Sequence, residues 1–298
     1  RLRVGLDLTE YNNILAFSLN FFKSYTNNLL TLKSLPEITG EGYYWSNDGS
    51  LENIGLDFGV RFKLLSRKNW KWEFGANATA YKNKITALPD GDYTTTIYGA
   101  NVLTSVGRAA GVFYGYETDG VYATQQEAEE AGLTLVSTTG EVTPFAAGDM
   151  KFVDHVQDGI INEKDMVVIG NPNPDVYGNL YSNLSYKRLS LNMNFNYSFC
   201  NDIYNYQRSQ LESGSQFFNQ TTALNRRWIA EGHHTDIPKA TFGDPMGNSR
   251  FSDRWIEDGS YLRLRSVTLS YELPVNSVWL QGLTVWATAN NLFTLTNY

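Results

Sequence analysis

The chain of 298 residues is rich in aromatic side chains, at 14%, and poor in charged ones, at 18%, with 24 basic against 31 acidic residues and a net charge of −7. A hydrophobic share of 42% supports one large folded domain or two ordinary ones, which excludes bulk disorder. No basic run is dense enough to follow a phosphate backbone, which argues against a nucleic-acid partner. No window approaches the roughly 18 consecutive apolar residues of a membrane-crossing helix. The mean hydropathy of −0.35 leaves solubility open, because a transmembrane β-barrel averages lipid-facing with lumen-facing residues. The lone Cys200 excludes an internal disulfide framework and a cysteine zinc cage. The chain starts at Arg1 without Met or a signal peptide and reads as a piece whose own targeting signal is absent.

In chain order, alternation of apolar and polar residues predicts strands from Leu2 to Thr9 and from Ile14 to Ser24, joined by a turn at Asn12 and Asn13. Ile54, Leu56, Phe58, Val60, Phe62 and Leu64 then alternate with Gly55, Asp57, Gly59, Arg61 and Lys63. After a turn at Ser66 to Asn69, Trp70, Trp72, Phe74, Ala76, Ala78 and Ala80 do the same. Gly178 to Tyr186 leads through Lys187 and Arg188 into Leu189 to Phe199, where every odd position is apolar and every even one is Ser or Asn. Tyr261 to Leu273 and, after Pro274 to Ser277, Leu283 to Asn290 complete the predicted strands. Leu262 and Leu264 hold one parity, and Val267, Leu269, Tyr271 and Leu273 the other, which predicts a bulge or a membrane exit near Arg265.

Tight and long connections take strict turns, and the two longest are insertions at 84–176 and 200–260. Outer-membrane barrels have short turns at one rim and long loops at the other, whereas soluble sandwiches usually have connections of a few residues at both ends. The polar faces are mostly Asn, Ser, Thr and Gly. Aromatics gather near strand ends, at Trp70, Trp72, Tyr177, Tyr186, Tyr261 and Tyr271, as a membrane-interface girdle would. The fold class expected is all-β, an antiparallel transmembrane β-barrel segment of about eight strands belonging to a larger barrel; a soluble β-sandwich is the alternative. Within the insertions, Thr124 and Glu127 form a capping box opening a helix from Gln125 to Ala131, closed by Gly132. A second helix is expected from Asn219 to Glu231, with Leu224 and Trp228 on one face and Gly232 as its stop.

Several ordered segments carry a resemblance. Gly148 to Pro174 followed by Gly178 and Asn179, Gly111 to Tyr122, Leu51 to Asp57, Arg227 with Trp228, Trp255 to Tyr271, and Ala289 to Tyr298 together resemble the SusC/RagA-type TonB-dependent outer-membrane transporters. The resemblance spans nearly the whole chain and implies a plugged barrel of about 22 strands. Residues 1–298 would then be the C-terminal part of one such barrel domain, without the N-terminal plug, the TonB box or the closing strand. It also implies a SusD-like surface lipoprotein as partner, contact with the TonB complex through a region outside the chain, outer-membrane lipid around the wall, and oligosaccharide or peptide cargo.

Candidate chemistry is sparse. Asp154, Asp158, Gly159, Ile160, Asn162 and Asp165 follow the spacing of an EF-hand loop, where alternating oxygens wrap Ca²⁺. Val156 takes the place of one ligand and Asp165 that of the usual bidentate Glu, so the loop is either a weak Ca²⁺ site or an Asp/Gly-rich structural turn. No cofactor is required. His233, His234 and Asp236 lack the third or fourth convergent ligand that zinc needs. His155 has no recognisable nucleophile beside it, and no catalytic motif is present, so no enzyme is expected. Tyr43, Tyr44 and Trp45, and Phe113, Tyr114 and Tyr116, are aromatic clusters expected in long loops, where they either stack on sugar or peptide or pack the loops themselves. Arg61, Lys63, Lys71, Glu73, Arg263 and Arg265 are expected to face the lumen, lining a path for polar cargo or pairing with plug carboxylates. The expected function is wall, lumen lining and loops of a nutrient importer; a sandwich adhesin or carbohydrate-binding module is the rival, and a barrel enzyme a third reading.

Overall fold

In the computed structural model, eight antiparallel strands form one sheet in chain order. The structure describes residues 1–9, 14–35, 37–41, 43–88, 91–136, 140–275, 279–280 and 282–298, the side chains of 32–34, 37 and 43 excepted. The strands are β1 (Leu2–Thr9), β2 (Leu15–Ser34), β3 (Tyr43–Ser66), β4 (Trp70–Ala87), β5 (Val176–Tyr186), β6 (Leu189–Phe199), β7 (Tyr261–Leu273) and β8 (Leu283–Thr296). The turn at Asn12 and Asn13 lies outside the described residues, as do Asn276 and Ser277 of the last turn.

The register carries the alternation across the sheet. Leu6, Leu19, Phe58, Ala78, Gly178, Tyr197, Leu262 and Leu295 form one row, each paired with the next. The adjacent row on the other face runs Asp7, Ser18, Gly59, Asn77, Asn179, Asn196, Arg263 and Thr294. The polar face is knitted by side-chain hydrogen bonds: Asn179 Nδ2 donates to Asn196 Oδ1 at 3.0 Å, Thr79 to Asp57 at 2.9 Å and Arg263 Nε to Thr294 at 3.0 Å. On the apolar face many of the described side chains stay open, although Leu264 is buried. Val4 is 61% exposed, Leu56 47% and Leu269 47%. A sandwich would bury this face beneath a second sheet about 10 Å away, and no such sheet lies over it among the described residues. The wall therefore suits lipid as its solvent.

The parity change in β7 is a bulge at Arg265. Pairing with β6 steps from Asn194–Ser266 to Phe195–Leu264, and pairing with β8 from Ser266–Asn290 to Leu264–Phe293. The extra residue keeps Leu264 and Val267 on the same apolar face, opposite Phe195 and Met193. Asn291 of β8 takes a left-handed backbone, φ 53°, at the same level. Glycines elsewhere make room for flat rings. A Cβ on Gly178 would overlap the Asn77 carbonyl oxygen and stand 2.6 Å from the Tyr197 hydroxyl. Tyr197 lies across that gap to donate to Asn77 at 2.8 Å.

Three expectations are corrected. First, β2 and β3 run on as a paired hairpin from Ser24 to Ser34 and from Tyr43 to Ile54, where a long loop was expected. Beyond the apolar band the backbone ladder continues, with a few side-chain links such as Thr31 Oγ1 donating to Asp48 at 3.1 Å, but with irregular register around Leu29 and Asn28 left-handed at φ 56°, so the apolar alternation no longer marks it. Second, the expected helix Asn219–Glu231 is a single 3-10 segment, Thr222–Arg226. Tertiary bonds take the rest: the Trp228 amide donates to Ile237 at 2.9 Å and its indole to the Ala123 carbonyl at 3.0 Å. The helix that forms instead is Tyr206–Leu211, capped by Asn205, whose Oδ1 accepts from the Arg208 amide. Third, the girdle is one-sided. Trp70, Trp72, Tyr186 and Tyr271 share the apolar face near the tight turns, whereas Tyr177 pairs with Thr79 and Ser198, and Tyr261 with Ser198, on the polar face.

Candidate functional site

The two insertions fold together into a packed layer at the rim opposite the tight turns. Its core joins Tyr116, Val121, Tyr122, Ala128, Phe145, Met150, Phe152, Ile161 and Met246, with Trp228 packed against them. Helix α1 (Gln125–Ala131) starts as expected: Thr124 Oγ1 accepts from the Glu127 amide at 3.2 Å, and Gly132 closes it at φ 63°. Glu127 reaches back to the amide of Ala123, one residue before the cap, at 3.0 Å. That hydrogen bond, reinforced by Lys151, holds its carboxyl below the ordinary range.

Polar groups lock the insertions to each other. Asp149, 1% exposed, accepts from Asn248 Nδ2 at 2.9 Å and stands 3.2 Å from Lys239 Nζ, while Asn248 Oδ1 accepts from the Met150 amide at 2.8 Å. Thr118 Oγ1 donates to Asp253 at 2.6 Å. A buried carboxylate so fully partnered is a specific clamp, because removing one partner would strand the other.

Tyr204, helix Tyr206–Leu211, the turn that follows it and the segment Ser249–Trp255 enclose a polar cleft of about 290 Å³. Ser209, Gln210, Ser213, Ser215 and Gln216 supply hydroxyls and amides, and among the described residues Arg250 is the one charged group lining it. The Arg250 guanidinium is pinned over the rings of Tyr116 and Phe152, at 4.8 and 4.6 Å from their centroids. Trp255, 1% exposed, has its indole N–H engaged by the Ser249 and Arg250 carbonyls. Behind it, Arg254 Nη2 donates to the Glu212 carbonyl at 3.2 Å, while its Nη1 has no hydrogen-bond partner among the described residues. Burial, and then the neighbouring Arg208, bring the Arg254 guanidinium down to about 10. Sequence reasoning missed this cleft, although the Ser/Gln-rich run from Ser209 to Gln216 was a visible signal.

The expected aromatic clusters divide. Tyr44, 42% exposed, and Trp45, 66% exposed, stand on the β2–β3 hairpin and not in a loop, and the Tyr43 side chain lies outside the described residues. Phe113 packs edge-on against Phe251 at 6.3 Å, and Tyr114 pairs with Val168 in a strand. Tyr116, 9% exposed, belongs to the core, and burial raises its phenol. Its ring packs within the core of the loop layer.

In the Asp-rich loop the carboxylates already accept backbone amides. Asp154 takes those of Gln157 at 2.6 Å and Gly159 at 2.8 Å, Asp158 that of Ile160 at 3.0 Å, and Asp165 those of Val156 at 3.3 Å and Asn162 at 2.9 Å. Asn162 caps the turn Glu163–Asp165. Desolvation pulls the Asp154 carboxyl upward, but the Gly159 and Gln157 amides and a hydrogen bond with Asp165 outweigh it and hold the group below the usual carboxylate range. Among the described residues no three His, Cys, Asp or Glu side chains converge as a metal site. His155 stands 3.1 Å from Glu117, and His233 Nδ1 is buried without a hydrogen-bond partner among the described residues.

On the polar face of the wall, Lys63 pairs with Glu73, Arg61 with Gly75, Lys71 with Ser185, and Arg263 with Asn196, whereas Arg265 is the bulge residue without a partner on β6.

No protein-family model matches the chain. It is 31% identical over its full length to TonB-dependent receptor P3 of Formosa agariphila, and 30% identical over 98% of its length to receptor P26 of the same organism. Against TonB-dependent receptor SusC of Bacteroides thetaiotaomicron it is 26% identical over 99% of its length. The fold superposes on a chain of the RagAB peptide transporter with a TM-score of 0.76 and 25% identity, covering 99% of this chain and 31% of that one. The chain spans about 30% of the length of the curated relatives it matches. These relatives are receptors and transporters, not enzymes. With one face for lipid, one polar face and a folded loop layer, the chain matches over its whole length a stretch of the β-barrel of SusC/RagA-type TonB-dependent receptors, proteins of the Gram-negative outer membrane.

Proposed function

We propose that the chain forms wall, lumen lining and extracellular loops of a TonB-dependent importer for a glycan or peptide fragment. The observation that carries this reading is the division of the sheet into an uncovered apolar face and a hydrogen-bonded Asn/Ser/Thr face. Long loops lie on the outer side of such barrels, so the packed loop layer meets cargo first. Its polar cleft presents hydroxyls and amides suited to a neutral, hydrogen-bonding cargo. A SusD-like lipoprotein covers the loop layer, and TonB acts through a part of the transporter outside this chain. Tyr44 and Trp45 offer exposed rings to the same cargo. The Asp154–Asp165 loop is an architectural element and at most a weak Ca²⁺ site, since its carboxylates are committed to backbone amides.

The test is energised uptake of a panel of labelled oligosaccharides and peptides by cells carrying the intact transporter with its lipoprotein. One class should enter in a protonophore-sensitive way, and Gln210→Ala with Gln216→Ala should lower its uptake several-fold. Unchanged uptake in that variant would remove the cleft from the cargo path. Calorimetry with Ca²⁺ up to millimolar concentration tests the loop, where micromolar affinity abolished by Asp158→Ala would overturn the architectural reading.

A further inference from the structure

Two neighbouring tight turns carry basic side chains and no acidic ones. Arg67 and Lys68 lie in the turn between β3 and β4, Lys187 and Arg188 form the turn between β5 and β6, and all four are exposed. The Lys187 amide donates to the Asn69 carbonyl at 2.7 Å, so the two turns are held together. On the apolar face directly below, Tyr186, Leu189 and Tyr271 are register partners across β5, β6 and β7. With Lys187 and Arg188 they line a concavity of about 400 Å³. Trp70 packs against Tyr186, the ring centroids 4.4 Å apart, and Lys187 Nζ stands 5.3 Å from the Tyr186 ring. Glu272 is next along β7, and its amide donates to the Arg188 carbonyl at 2.9 Å. It holds the polar-face parity, opposite Thr284, so its carboxylate is on the other side of the sheet from the concavity.

A hollow that faces hydrocarbon, floored by Leu and amphipathic rings and edged by two cations, is complementary to a molecule with apolar tails and an anionic head. Rings of this kind settle at the depth of the headgroups, where Lys and Arg extend their charge towards lipid phosphate. Tight turns of such barrels lie on the periplasmic side, so the lipid within reach is a phospholipid. We propose that Tyr186, Lys187, Arg188, Leu189 and Tyr271 form a binding site for one anionic phospholipid of the periplasmic leaflet. Lys187 and Arg188 take the phosphate, Arg67 and Lys68 add to the local positive field, and the acyl chains lie along Leu189 and Tyr271. The proposal rests on the outer-membrane reading of the wall.

Native mass spectrometry of the intact transporter, moved into nanodiscs of phosphatidylcholine with or without phosphatidylglycerol and then stripped by detergent, reads the lipid that stays bound. The wild type should retain phosphatidylglycerol over phosphatidylcholine by about fivefold or more. Lys187→Asn with Arg188→Gln should abolish the preference; Asn tolerates the left-handed backbone of position 187, φ 54°. Lys187→Arg with Arg188→Lys should keep it, as should Lys164→Gln in the loop layer. Heat-modifiable migration checks that each variant is folded. Equal retention of the two lipids by the wild type, or an unchanged preference in the Asn/Gln variant, would overturn the site alone. Failure of the wild type to enter either bilayer would overturn the membrane reading and the site with it.

Discussion

Leu189, at the start of β6, leaves 41% of its surface open, whereas Ile161, in the loop layer, leaves 1%. The contrast holds across the two regions. Among the described residues, the buried hydrophobic ones of the wall strands are Ile85 and Leu264; Val112, Tyr122, Phe145, Met150, Trp255 and the others described lie in the insertions. The loop layer is a small globular body, stabilised by removing apolar surface from water into its own core. The wall is held by its strand ladder and by a second solvent that the chain itself does not supply. The two regions therefore obey different rules of substitution: volume matters in the loop layer, and polarity facing outward matters in the wall.

Four outcomes would sharpen or break this contrast. The largest is all-or-none. Residues 1–298 expressed alone should aggregate or require detergent, because β1 and β8 each keep an unpaired edge and the apolar face is uncovered. A compact monomer melting cooperatively in plain buffer on size-exclusion chromatography would break the comparison outright. Next, Met150→Ala in the intact transporter should cost the loop layer about 2–5 kcal/mol, as truncation of a fully buried Met does, while barrel insertion is unchanged. Hydrogen exchange should show the loss confined to the two insertions. Loss of strand protection as well would mean that loop core and wall fold as one cooperative unit.

In the wall, Phe195→Arg should destabilise the intact barrel by about 2–4 kcal/mol, with Asn194→Arg on the other face much milder. Phe195 pairs with Leu180 and Leu264 on the apolar face, and Asn194 with Tyr181 and Ser266 on the polar one. Equal losses in vesicle folding titrations would refute the assignment of faces. The smallest effect belongs to Asp154. A carboxyl whose pKa is lowered in the folded state contributes stability that is present above the ordinary carboxylate range and is lost as pH falls through the lowered value. Residues 153–166 should accordingly loosen only below about pH 4. Asp154→Asn should loosen them already at neutral pH, read by local hydrogen exchange; equal protection in both proteins would show that the Gln157 and Gly159 amides contribute little.

How far the sequence could be read differed with the kind of interaction. A strand with lipid on one side and a lumen on the other writes its environment into every second residue. The alternation from Leu189 to Phe199, and even the bulge at Arg265 from the parity change between Leu264 and Val267, were therefore legible without a structure. So were both ends of α1, because Thr124 and Glu127 act within one turn of each other and Gly132 closes the helix at its other end. The β2–β3 extension was hidden because its ladder runs through backbone groups that every residue has, with Asn28 and Gly49 interrupting the pattern.

The sequence by itself determined the strands within the membrane band, their two faces and the local caps, since each depends on neighbours a few residues away. Only the tertiary structure decided that Tyr116 is core while Trp45 is exposed, that Trp228 leaves a helical pattern to bond Ala123, and that Ser209 to Gln216 line a cleft with Arg250. Those outcomes depend on contacts such as that between Met150 and Asn248, 98 residues apart. Closing so long a connection leaves no periodic trace in either segment, because what a loop residue buries against is set by a partner whose position the local pattern does not encode.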